Sequence, residues 1–366
     1  MPSQTSRLRI KHVGRRRDWL MGFGIVAAFA WSVIRSGMAM LGGPEIGVEA
    51  AQVWPQRLDS GFLSFISDSP LGLITFQILD LATPQAWVLM HVVAVLLAMW
   101  VFAGWALVTS EPGTRAHSAR LVLLAPIATV MLTGIGSYDP FTILAMLLVL
   151  FAILSSSRLL VALSGVVIGF QHFEQGLLGI LALAAVWSAL KGSLPRAVDG
   201  ASPLWALVGL VAGRLFLTAI FLATDVQATG RPQWITEFFI EWSLGAITTG
   251  PLLLWSLFAG MWALILYIWI RFTQRDSRLL LLGAFAAGLI GLLLSGDRPR
   301  VFVVILAPAL ALLVVTYTRL AREERVVSRL IEGVVWLAPP LIFAEDIVTN
   351  VNIVDVPYTL FLFAIS

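Results

Sequence analysis

The sequence predicts an all-α, polytopic membrane protein: one bundle of about ten to twelve spanning helices. Three observations predict it. Hydrophobic residues make up 59% of the 366-residue chain and charged residues only 12%, with a mean hydropathy of +0.91; a soluble domain keeps about a quarter of its residues charged. Apolar runs of roughly 20 residues recur along the chain, the length a helix needs to cross a hydrocarbon core of about 30 Å. Most of the 24 Lys and Arg residues fall in alternate connections between those runs, the asymmetry that positive-inside insertion produces.

In chain order the runs lie near 19–41, 86–109, 120–137, 140–157, 159–172, 175–190, 203–224, 251–271, 279–296, 301–318 and 327–344. Residues 1–18 are a basic tail, and 19–366 are a single transmembrane domain with no soluble-type stretch long enough for a second. The tail and first run have the outline of a signal peptide. The apolar part is too long for one, and 42–45 is a poor cleavage site, so the run reads as a retained first span. The final apolar run, from Tyr358 to Ser366, is too short to cross alone.

The basic residues set the orientation. A cytoplasmic N-terminus with alternating spans puts the tail, Arg115, Arg120, Arg158, Lys191, Arg196, Arg271, Arg275, Arg278, Arg319, Arg322, Arg325 and Arg329 inside. Arg57, Arg231, Arg298 and Arg300 fall outside, while Arg35 and Arg214 lie within spans. The expected location is a bacterial-type inner or plasma membrane. Most of the 21 acids map to the outer face; Asp225, Glu345, Asp346 and Asp355 read as solvated loop charge, and the others have company that needs explaining.

The first outer loop, 42–84, far exceeds a median connection, which raises the prior for function. Glu45, Glu49, Gln52 and Gln56 recur at helical spacing opposite Ile46, Ala50, Val53 or Trp54, and Leu58. That pattern predicts an amphipathic helix on the outer surface, bent near Pro55. A plain anchor explains its apolar face, but not two carboxylates immediately after the first span. A second interfacial or re-entrant helix should start at Pro70.

Three further outer segments are polar. Gly134 to Pro140 contains Asp139, where a turn role and a functional role weigh about equally. Gln171, His172, Glu174 and Gln175 follow an apolar run covering only about 21 Å, so this tip should sit below the outer surface, where ionisable groups normally line a cavity. Between Ser295 and Val301 stand Asp297, Arg298 and Arg300. Arginine's planar fork suits phosphate, although an ion pair of Asp297 with either arginine would leave one of them over. Arg231 is another outward arginine, and Arg35 and Arg214 need partners and are expected to face the same cavity.

Several chemistries lack their residues. With no cysteine, disulfides, thiolate nucleophiles and cysteine-bound metals are excluded. No phosphate-binding loop, dinucleotide glycine pattern, zinc-type histidine pair or hydrolase serine elbow occurs. Nothing argues for nucleic acid as a partner.

The run Glu45, Val48, Glu49, Ala50, Ala51 and Trp54, followed by Ser69 to Leu73 beginning Ser-Pro-Leu-Gly-Leu, resembles the polytopic lipid-dependent glycosyltransferases of the GT-C fold. In that superfamily an acid follows the first span, then an amphipathic helix and a Pro-initiated apolar helix. Many members carry Asp where this chain has Glu45 and an aromatic where it has Glu49, so either glutamate can correspond to the family's acid. The resemblance covers the N-terminal third best. It implies transfer of a sugar from a polyprenyl-phosphate donor to a glycan or lipid acceptor on the outer side. Glu45 would be the first-choice base and Glu49 the second, with Arg298 and Arg300 on the lipid phosphate. Asp139, His172, Glu174, Gln175, Arg231 and Asp297 would contact substrate, with Asp139, His172 and Glu174 meeting sugar hydroxyls or a divalent metal. Two alternatives remain at this level: a polysaccharide polymerase or ligase, and a transporter or flippase for lipid-linked glycans. Polar groups gathered to one side, with no internal repeat, favour an outer-face enzyme over alternating access.

Overall fold

A computed structural model describes residues 21–36, 38, 43–56, 66–195, 198, 200–226, 240, 244, 250–271, 274–295 and 298–338, with 250–253 and 298–299 described as backbone only. Among the described residues the regular structure is all helical. The first helices are α1 (Met21–Ser36), α2 (Pro44–Val53), α3 (Leu71–Ile78), α4 (Pro84–Thr109), α5 (Arg115–Leu123) and α6 (Pro126–Thr133). Then come α7 (Asp139–Leu154), α8 (Arg158–Gln171), α9 (Phe173–Ala189) and α10 (Trp205–Ala223). The last are α11 (Gly250–Phe258), α12 (Trp262–Arg271), α13 (Arg275–Leu293), α14 (Arg298–Leu320) and α15 (Arg325–Leu337).

Five helical stretches are long and apolar enough to cross a membrane: Pro84–Thr109, Trp205–Ala223, Leu254–Arg271, Arg275–Leu293 and Arg300–Leu320. A sixth qualifies if α5 and α6, bent by 43°, form one broken span. The chain is therefore an integral, polytopic membrane protein. Shorter apolar helices α1, α7, α8 and α9 pack among them.

Local chemistry sets the helix ends. Pro84 opens α4, where its missing N–H costs nothing, and Thr83 accepts from the Ala86 N–H at 3.2 Å. Ser157 accepts from the Leu160 N–H to start α8. Pro126 breaks the run expected over 120–137, because it offers no N–H to the preceding turn. The freed carbonyls at membrane depth need donors. The Ser32 hydroxyl donates to Leu123 O at 2.5 Å and Arg35 Nη2 to Leu124 O at 2.8 Å.

Two contacts organise the bundle. The stretch from Arg300 to Thr318 is buried throughout, so α14 is the central post, with α9 and α13 against it. Such a helix is apolar on every side because no side meets water. The second contact joins α8 and α10 backbone to backbone. A Cβ at Gly165 or Gly169 would lie 2.0 Å from a carbonyl oxygen of α10, and one at Gly209 or Gly213 would lie 1.7 or 2.1 Å from an oxygen of α8. Glycines four residues apart on both partners permit this approach, as is common where membrane helices pack through van der Waals contact.

The charges segregate to the two ends of the bundle. Arg271 pairs with Glu324, while Arg319 and Arg322 share Glu111. Arg120 joins Glu332 at the same end, referred to below as the basic end. The short helices α2 and α3 pack on each other and on α4 at the opposite end.

The amphipathic helix expected in the first loop exists, but its inner face is shifted. Gly47, Val48, Ala50 and Ala51 are buried, and Glu45, Glu49 and Gln52 are exposed. It docks on α4 and does not lie free, since Gly47 leaves no room between the helix and the Trp87 ring, which a Cβ would meet at 2.3 Å. The helix ends at Val53, ahead of Pro55.

Candidate functional site

At the end opposite the basic one, four sequence segments converge on a buried polar cluster. Its centre is an ion pair, Arg300 Nη1 to Asp139 Oδ2 at 3.1 Å, with Asp139 0% and Arg300 6% exposed. Asp139 starts α7, where the helix dipole favours a carboxylate. Ser137 Oγ donates to Asp139 Oδ2 at 3.3 Å. Arg300 lies in the first turn of α14, where the same dipole disfavours a cation. The carboxylate opposite makes that position tolerable.

The 171–175 tip lies alongside. Within the protein, Gln171, His172 and Gln175 are buried, and Glu174 is partly exposed. The completely buried Gln171 amide is a hub. Its Oε1 accepts from the Leu71 N–H at 2.8 Å, and its Nε2 donates to Tyr138 O and to Thr142 Oγ1, both at 3.3 Å. One side chain thus ties the start of α3 to the 134–140 tip and to α7.

His172 breaks the chain between α8 and α9 in an extended conformation and caps α9. Its Nδ1 faces the Gln175 N–H at 3.5 Å and Glu174 Oε2 at 3.4 Å. Those partners make opposite demands: a backbone N–H needs a lone pair on Nδ1, whereas a carboxylate needs a proton there. Tyr138 bridges the two halves, its ring 5.2 Å from the His172 ring and 5.8 Å from the Arg300 guanidinium carbon. The rings of Phe76, Trp87, His91 and Phe141 pack in series, edge to face for Phe76–Trp87 and His91–Phe141 and tilted for Trp87–His91, joining α3, α4 and α7.

The structure therefore brings together Asp139, His172, Glu174, Gln175 and Arg300. Glu45 and Glu49 stand one turn apart on the exposed face of α2, and no contact joins them directly to the Asp139–Arg300 pair. Arg231 and Asp297 lie outside the described residues, and Arg298 is described as backbone only. Arg300 takes Asp139 as an ion-pair partner. Among the described residues no three acidic or histidine side chains converge as a metal site.

One expectation is corrected. Arg35 does not face this cluster. It is buried and donates to Val335 O at 2.9 Å, Ala338 O at 3.2 Å and Leu124 O. The reason is physical: the C-terminal carbonyls of α15 and the carbonyl at the α5–α6 break are the acceptors that membrane burial leaves unsatisfied. Arg214, on α10, is only half-buried.

Sequence reasoning did not single out Gln171 as a site residue, nor Tyr138, Thr142, His91 or Asp68. Asp68, a buried carboxylate, stands three residues before the Leu71 that Gln171 anchors. The available signal was a polar group at the end of a helix too short to reach the surface. Set against protein-family models, curated proteins and solved structures, the chain matches none.

Proposed function

We propose that the protein is a membrane glycosyltransferase of GT-C type. It would move a sugar from a polyprenyl-phosphate donor to a glycan or lipid acceptor on the extracytoplasmic face. The observation that carries this reading is the buried cluster of Asp139, Arg300, His172 and Gln171, onto which the first outer loop is tied through Leu71. A long loop bearing carboxylates, docked on an arginine-containing polar cluster at one end of a membrane bundle, suits a lipid-linked phosphodiester whose tail stays in the bilayer. In this reading the chain crosses the membrane about ten to twelve times from a cytoplasmic N-terminus. The short helices α1, α7, α8 and α9 then count as spans, and the basic end faces the cytoplasm.

The chemistry is a displacement at the anomeric carbon. The acceptor hydroxyl oxygen forms a bond to that carbon as the bond to the lipid phosphate breaks. The proton passes to a carboxylate, Glu45 first and Glu49 second, both exposed and so accessible to an acceptor. Polyprenyl phosphate leaves with the electron pair, its charge met by Arg298 and by Arg300, which Asp139 holds in position. His172, Glu174 and Gln175 hold sugar hydroxyls, and Arg231 and Asp297 complete the outer rim.

The test is transfer of radiolabelled sugar from lipid-linked donor in membranes carrying the protein, with Glu45→Gln and Glu49→Gln compared with wild type. One of the two should lose about 100-fold or more of the rate. If both variants transfer at the wild-type rate, the proposed base is wrong. Arg298→Ala should weaken binding of polyprenyl phosphate more than it alters acceptor preference; the opposite result reassigns that arginine.

A further inference from the structure

The basic end holds a cleft of about 420 Å³ between α5, α14 and α15. Four arginines line it, Arg120, Arg322, Arg325 and Arg329, against one carboxylate, Glu332. Three nearby acids are already engaged, and the exposed Glu323 does not line the cleft. Glu332 receives Arg120 Nε at 2.8 Å and faces His117 Nε2 at 3.5 Å. Glu111 is shared by Arg319 and Arg322, and Glu324 holds Arg271. Among the described residues, Arg325 and Arg329 have no acidic partner within 4.0 Å.

Their position makes that imbalance unfavourable without a ligand. They stand one turn apart on α15, so their charges repel. Arg325 opens the helix, whose first turn carries no acid, so its charge also opposes the helix dipole. A bound anion would reverse the sign of both effects. The cleft also adjoins a surface suited to lipid. Val326, Leu330, Val334 and Leu337 form one exposed apolar stripe along the same helix. An acyl chain can run along that stripe while its headgroup lies among the arginines, and arginine's fork matches a phosphate oxygen pair.

We infer that this cleft is a binding site for the phosphate of an anionic membrane phospholipid, separate from the proposed sugar-transfer site at the other end of the bundle. Arg325 and Arg329 are its principal ligands, and Arg120 and Arg322 line its floor.

The experiment compares thermal unfolding of the full chain in neutral detergent after addition of phosphatidylglycerol, phosphatidylcholine or inorganic phosphate. Phosphatidylglycerol should raise the wild-type midpoint by on the order of 5 °C near saturation, with phosphatidylcholine and inorganic phosphate giving little shift. Arg325→Gln with Arg329→Gln should weaken phosphatidylglycerol binding on the order of tenfold. Glu332→Gln, which removes the single acid, should strengthen it. Equal shifts with phosphatidylcholine would mean that charge is not recognised. An equal shift with inorganic phosphate would make the ligand a soluble anion, not a lipid. An unchanged shift in the double variant would move the lipid elsewhere. Each of those three results overturns the inference. None of these residues takes part in the proposed transfer, so failure here leaves that proposal standing, and failure there leaves this one.

Discussion

The two ends of the central helix α14 carry the same kind of residue under opposite conditions. At its N-terminus Arg300 is buried, works against the helix dipole, and is matched by Asp139 across 3.1 Å. At its C-terminus Arg319 is half-exposed and favoured by the dipole. There it donates to Ser193 O and Leu194 O and shares Glu111 with Arg322. The Arg300 charge is dry and balanced by Asp139; the arginine charge at the second end is wet and in excess. A dry pair sets geometry, because either ion alone would be strongly destabilised. A wet excess costs little in folding and is available to a ligand. Fixed geometry suits the proposed transfer at an anomeric carbon, whereas excess charge suits the proposed headgroup site.

The sharpest way to break the comparison is to strand one ion at the dry end. Asp139→Ala should destabilise the protein by about 3–5 kcal/mol, because Arg300 stays buried without the Asp139 carboxylate. Combining Asp139→Leu with Arg300→Met should recover most of that loss, since apolar replacements of similar volume are often neutral. Thermal unfolding in detergent measures both. A loss below about 1 kcal/mol for Asp139→Ala would show that water reaches the pair and that the two ends do not differ as argued.

Arg35→Met comes next, at about 2–3 kcal/mol. It removes charge-assisted donors from three buried carbonyls at once, Leu124, Val335 and Ala338. Because these tie α1 and α15 to the α5–α6 break, the effect should extend to the cleft. Phosphatidylglycerol should shift the midpoint of this variant less than that of wild type. An undiminished shift would show that the cleft keeps its shape without Arg35.

Much of this layout is legible in the sequence, and the illegible part has identifiable causes. Segregation of the charges to two ends follows from apolar run lengths and basic loops, since both are properties of short windows. The length of α8 marked the His172 tip as polar and short of the surface, but only packing decides that His172 is buried and Glu174 is not. The Asp139–Arg300 pair was not, because the two residues lie far apart in sequence and only tertiary packing selects which arginine meets which acid. The partners of Arg35 are backbone carbonyls, invisible as residue types, though Pro126 in mid-run marks where they would be freed. Gly165, Gly169, Gly209 and Gly213 carry a spacing signal for close helix approach, which hydropathy alone does not register. The inner face of α2 was misjudged by about one position because Gly47, lacking a side chain, lets the helix approach the Trp87 ring more closely than a larger apolar residue could.

The smallest effects test the comparison at its margins. Each end displays a pair of exposed like charges one turn apart: Glu45 with Glu49 on α2, and Arg325 with Arg329 on α15. Neutralising one member of such a pair should stabilise its helix by roughly 0.2–0.5 kcal/mol at low salt. The dipole separates the two cases. Glu45 sits in the first turn of α2, where its charge is favourable, so Glu45→Gln gives back part of what it gains. Arg325 opens α15, where its charge is unfavourable, so Arg325→Gln adds the two gains together. Arg325→Gln should therefore be the more stabilising substitution in lipid-free detergent, and the difference should shrink as salt shortens the Debye length from about 30 Å at 0.01 M to about 10 Å at 0.1 M. Adding phosphatidylglycerol should reverse the order, because the wild-type arginine then has its anion and the glutamine does not. A ranking that ignores both salt and lipid would mean that neither pair is set by charge.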